Sequence, residues 1–166
     1  RLAYHSAHLI HDMLLEESEP ALEAVRAGDY DNEHVRTLIN TIIGLAGTVG
    51  GFGGVRARES GAHSVHDGLT RVAGSAATMH GEKVAYGVLV QLLVEGKESE
   101  VQALLPFYAT IGLPHSWRQM NLEFTDENLQ TVADFAAGPD SPFRAAVPGV
   151  TPAQIIEAMR TLETLA

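Results

Sequence analysis

Apolar side chains recur every three to four residues along almost the whole chain, the period of amphipathic helices packed on a common core. Leu2, Leu9, Ile10, Met13 and Leu14 predict a first helix with that stripe inward. Ser18-Glu19-Pro20 predicts a restart, since a capping hydroxyl precedes a proline whose missing N–H costs nothing in a first turn. The short helix that follows carries Leu22 and Val25 and ends near Gly28. Asp31 or Asn32 can cap the next one, with Val35, Leu38, Ile39, Ile42, Ile43 and Leu45 inward. Its later part is apolar around most of the circumference, which predicts a place at the domain centre. The cluster Gly44, Gly47, Gly50, Gly51, Gly53 and Gly54 predicts a break.

The pattern resumes near residues 59–74 and 81–95, the second with Val84, Val88, Leu89, Leu92 and Leu93. A further helix spans about residues 99–111, and Pro106 inside it predicts a kink or a break. Gly112-Leu113-Pro114 stops it, and Ser116 can cap a short turn through Met120. Thr125-Asp126-Glu127 opens a helix through Leu129, Val132 and Phe135 that ends at Gly138-Pro139. Residues 139–150, with three prolines, read as a loop. Thr151-Pro152-Ala153-Gln154 is a strong start signal, with an N-cap threonine, proline at the first position and glutamine at the third. The last helix carries Ile155, Ile156, Met159, Leu162 and Leu165. No convincing alternation of apolar and polar residues occurs. The expected class is all-α, a multi-helix bundle forming one domain over residues 1–166.

Composition narrows the function. A net charge of −10 argues against a nucleic-acid binder, whose affinity comes from Lys and Arg. The absence of cysteine excludes disulfides and thiolate sites, and is compatible with the cytosol. No apolar run approaches the ~20 residues a membrane span needs, so no membrane partner is expected. The chain opens on Arg1 and runs straight into helical pattern, which predicts a cut inside a longer protein.

The chemistry gathers in one window. His63 and His66 are three residues apart and share a helix face. His80 lies seventeen residues beyond His63, past a turn at Gly74-Ser75, so a helical hairpin would bring it back alongside. Zinc and ferrous iron accept neutral imidazole, which makes the group a candidate metal site. No HExxH pattern supports a metalloprotease. The glycines at 47–54 lack the Lys-Ser/Thr of a phosphate loop and read as a close turn. His5, His8 and His11 drift around their helix and do not converge. His34 and His115 read as loop or helix-end residues, Trp117 as a packing anchor, and Glu82 as a carboxylate suited to a helix N-terminus.

Ala62-His63-Ser64-Val65-His66-Asp67-Gly68-Leu69-Thr70, followed by His80-Gly81-Glu82-Lys83-Val84-Ala85-Tyr86-Gly87, resembles the C-terminal helical domain of glycerol dehydrogenases. These belong to the iron-containing alcohol dehydrogenase and dehydroquinate synthase superfamily. Gly112-Leu113-Pro114, Val132-Ala133 and Val150-Thr151 follow in similar order, so the likeness covers nearly the whole chain. It implies an active site in a cleft between this domain and an N-terminal nucleotide-binding domain that the chain lacks. It implies a divalent metal, zinc or iron, held by two histidines matching His63 and His80 and by an aspartate upstream of Arg1. His66 would face the same cleft, for proton relay or for contact with nicotinamide or substrate.

The implied activity is oxidation of a secondary alcohol by hydride transfer to NAD(P), bound mainly by the absent domain. The chain alone is expected to be inactive; the enzyme is expected to be cytoplasmic and homo-oligomeric. Arg56 and Arg58 depart from the small, neutral residues usual before the first histidine. They predict contact with an anionic substrate, as in the related hydroxycarboxylate dehydrogenases, or else pairing with Glu59 or the coenzyme pyrophosphate. A non-catalytic helical scaffold is the reading from a different class.

Overall fold

In a computed structural model of the chain, residues 1–54, 57 and 59–165 are described. Every regular element among them is a helix, in keeping with the expected all-α class. They group into two compact units, Arg1–Arg58 and Glu59–Ala166.

The first unit holds α1 (Leu2–Arg26), α2 (Glu33–Ile39), a π-helical segment (Asn40–Leu45) and α3 (Ala46–Gly53). The predicted restart at Pro20 does not occur, and α1 runs through it unbroken. Proline forfeits one backbone hydrogen bond there, but Ala21 and Ala24 just beyond are buried with Val35 and Leu38 of α2, which keeps the helix on its line. Asn32 caps α2 by accepting from the His34 N–H.

The predicted break at the glycines also fails. Glycine lowers helix propensity by about 1 kcal/mol per residue without forbidding a helix. The helix passes through the π turn, where the Thr41 hydroxyl bonds back to the Thr37 carbonyl at 2.8 Å. The helix then ends at Gly54, whose φ of 64° is left-handed. Nor does this element lie at a centre. Thr41 is its fully buried residue, whereas Ile42 and Ile43 are 54% and 73% exposed. Because the helix does not break, Glu33–Gly53 makes a continuous run of 21 residues that contains an 18-residue window of mean hydropathy 1.2. By length and composition alone that is enough to cross a membrane, contrary to the sequence expectation.

The second unit holds α4 (Gly61–Leu69), a 3₁₀ turn (Ser75–Ala77), α5 (His80–Val94), α6 (Glu98–Ile111), α7 (Asp126–Ala136), α8 (Pro142–Ala146) and α9 (Pro152–Thr164). Here the local signals hold. Thr125 accepts from the Asn128 N–H, and Thr151 with Gln154 forms the predicted capping box. Two details differ. Helix α6 continues through the exposed Pro106, and the stretch read as a loop contains α8, started by Ser141 capping Phe143 and by Pro142 in its first turn.

The core of this unit is deep. Trp117, Tyr86, Phe143, Leu69, Leu89, Leu129, Ile155, Met159 and Leu162 are all buried, each contributing roughly 1.5–3 kcal/mol. Trp117 is the predicted anchor: its indole N–H donates to the Tyr86 hydroxyl at 3.0 Å. Helix α4 packs on α5, α7 and α8 through glycines. A Cβ on Gly61 would meet the Phe143 ring at 2.6 Å, on Gly68 the Val132 carbonyl at 2.8 Å, and on Gly87 the Ala62 carbonyl at 2.4 Å.

Candidate metal centre

Helices α4 and α5 form an antiparallel hairpin. Moving along α4 from Ala62 to His66 moves back along α5 from Gly87 to His80. The connection turns at Gly74, φ 85°, in the left-handed region where glycine costs least. The buried Lys83 donates its ammonium to the Ser75 carbonyl at 3.0 Å, and the Thr78 hydroxyl donates to the Met120 carbonyl at 3.2 Å. At the far end, the Gln91 side-chain oxygen accepts from the Ala62 N–H, satisfying one free donor of the α4 N-terminus. Glu82 accepts the Met79 N–H at 2.7 Å and so fixes the start of α5 at His80.

This frame brings the three predicted histidines together. The rings of His63 and His80 have centroids 6.1 Å apart, and those of His66 and His80 4.3 Å apart at 67°. His66 Nε2 lies 2.9 Å from His80 Nδ1, and His66 Nδ1 lies 2.8 Å from an Asp67 carboxylate oxygen. His63 Nδ1 is buried and has no hydrogen-bond partner. The sequence reading missed Asp67 as a member of the group. It adjoins His66, and helical periodicity draws attention to neighbours three or four apart, not to the next residue.

As a donor set, two adjacent imidazoles, one with an orphaned buried nitrogen, fit part of a divalent metal's needs. Among the described residues no group of three His, Cys, Asp or Glu is placed to hold an ion. Arg56 and Arg58 lie outside the described residues.

The other histidines are elsewhere. His5 and His8 contact the Tyr4 ring and His11 pairs with Asp12, without convergence. His34 is bonded to Glu17 at 2.7 Å, and that bond raises its pKa above the ordinary imidazole value. His115 keeps both ring nitrogens buried and unpartnered. Burial pushes the Tyr86 phenol well up, outweighing the Trp117 hydrogen bond, so its hydroxyl is a neutral acceptor for the indole.

No family model matches the chain. Its curated relatives include an uncharacterized oxidoreductase of Synechocystis, 36% identical over 95% of this chain and 42% of the relative. A glycerol dehydrogenase of Pseudomonas putida is 33% identical over 98% and 44%. Hydroxycarboxylate dehydrogenase A of Escherichia coli is 33% identical over 76% and 35%. Among solved structures, a probable glycerol dehydrogenase from Sinorhizobium meliloti superposes with a TM-score of 0.89 at 27% identity, covering 98% of this chain and 46% of that one. Near-complete coverage, the histidine motifs and the matching fold agree: the chain belongs to the glycerol dehydrogenase-like oxidoreductases, of whose curated members it spans less than half the length.

Proposed function

We propose that this chain supplies two metal ligands, His63 and His80, to an NAD(P)-dependent dehydrogenase acting on a polyol or other secondary alcohol. The observation carrying this reading is the meeting of His63, His66 and His80 across the α4–α5 hairpin, with His63 Nδ1 held out of water and unpartnered. A buried polar nitrogen without a partner is costly and is found mostly where function requires it. The third ligand and the coenzyme pocket belong to the part of the relatives' length that this chain does not span. When bound, the divalent metal polarises the substrate alcohol and eases removal of its hydride. The chain's own contribution is to hold two neutral imidazoles in register through the close α4–α5 packing at Gly87.

The test is metal content and coenzyme-dependent alcohol oxidation in the protein at the full length of its relatives. His80→Ala should abolish both. Retention of metal and activity would remove the proposal.

A second substrate reading is a 2-hydroxy or 2-oxo acid, supported by the Escherichia coli hydroxycarboxylate dehydrogenase relative and by the two arginines at 56 and 58. Comparing turnover of glycerol with that of 2-oxo acids separates the two.

A further inference from the structure

We propose that Asp67, His66 and His80 form a directed hydrogen-bond chain that presets His80 Nε2 as the metal-binding nitrogen. Asp67 and His66 are then positioning residues for the site. The inference rests on the reading of His80 as a ligand and adds which atom ligates and what selects it.

The chain of hydrogen bonds starts at the Asp67 carboxylate. Ionised, it only accepts, so the 2.8 Å contact requires the hydrogen on His66 Nδ1. In a neutral imidazole the other nitrogen then carries the lone pair, so His66 Nε2 accepts. Its 2.9 Å neighbour, His80 Nδ1, must donate and carries a hydrogen. The same rule applied once more leaves the lone pair of His80 on Nε2. A cation binds only a nitrogen without hydrogen, so the chain exposes one ligand atom and closes the other. A chain of the opposite sense would put a hydrogen on His80 Nε2 and block ligation there.

The geometry favours a held arrangement. His66 is 12% exposed, and its ring stands edge-on to that of the exposed His80, with centroids 4.3 Å apart. Asp67 is 56% exposed, so its carboxylate stays solvated and anchors the outer end of the chain. Separation of the roles is also clear in sequence terms. Asp67 and His66 lie on α4 and His80 opens α5, so the chain ties the two helices at the mouth of the hairpin.

The experiment uses the full-length enzyme. Zinc affinity is measured by competition with a chromophoric chelator, and the tautomer of His80 is read from ring ¹⁵N shifts in the zinc-free enzyme. His66→Phe should weaken zinc binding about 10–100-fold, the effect usual for losing a ligand's outer partner, and Asp67→Ala, one hydrogen bond further out, should weaken it measurably but less. His66→Gln, whose amide oxygen can still accept from His80 Nδ1, should stay close to wild type. The His80 proton should sit on Nδ1 in the wild type and shift toward Nε2 in Asp67→Ala. Unchanged zinc affinity in Asp67→Ala, or an Nε2 proton on His80 in the wild type, overturns the chain. Should His66→Phe fail to fold, Asp67→Ala, at an exposed position, remains decisive. His80→Ala separates this inference from the reading beneath it. Zinc lost in His80→Ala but kept in Asp67→Ala sinks the chain alone, whereas zinc kept in His80→Ala sinks the metal site and the chain with it.

Discussion

His34 and His66 show how one residue type takes its role from what it touches. Each has a carboxylate on Nδ1, at 2.7 Å and 2.8 Å. The partner of His34 is Glu17 on α1, seventeen residues away, so the pair ties α1 to α2 within the first unit. Its raised pKa gives the contact a pH signature. A histidine whose folded pKa exceeds its unfolded one stabilises fully below the unfolded value, near 6.5, and loses that contribution as pH rises through the folded value. The melting temperature of wild type should therefore exceed that of His34→Ala by most below pH 6.5, and the gap should narrow as the pH is raised above it. A gap independent of pH would show that the pair does not titrate in this range. His66 instead spends its second nitrogen on His80. Its motif was readable from the chain, and its neighbour's part was not, because a hydrogen bond between adjacent residues leaves no periodic trace.

At the scale of elements, glycine does two opposite things. Gly44, Gly47 and Gly51 have nothing near where a Cβ would stand, and the helix they occupy is largely exposed. Their clustering invited the prediction of a break, but a continuous helix tolerates them. Gly61, Gly68 and Gly87 are scattered and form no cluster in sequence, yet each sits against a neighbouring ring or backbone. Gly87 sets the α4–α5 spacing on which the histidine group depends. Alanine there would gain roughly 0.5–1 kcal/mol of helix propensity. It would also drive a Cβ to 2.4 Å from the Ala62 carbonyl, an overpacking that costs typically 1–3 kcal/mol. Gly87→Ala should lower stability in denaturant titration and also weaken zinc binding, because the backbone of α4 must move. Gly81→Ala, which meets open space, is the control expected to leave both nearly unchanged.

For the whole molecule, the chain carries two imidazoles of the proposed site and spans less than half of its relatives' length. Two neutral ligands make a weak zinc site, and ligand count and geometry decide metal affinity. The 166-residue chain should therefore bind zinc much more weakly than the same sequence in a protein of the relatives' length. Equal affinity would mean that the site is complete within the chain.

What the sequence alone determined was local. The all-α class, the caps at Thr125 and Thr151, the turn at Gly74 and the grouping of His63 with His66 all follow from spacing within a few residues, where backbone hydrogen bonding and helical period act. The tertiary structure alone decided which apolar positions meet a partner and which stay in the open. It left Ile42 and Ile43 exposed, carried α1 through Pro20, seated α4 on Gly87 and aimed His66 at His80 rather than into free solvent. Burial and inter-helix hydrogen bonds depend on the identity of the facing helix, and helical period carries no record of that choice.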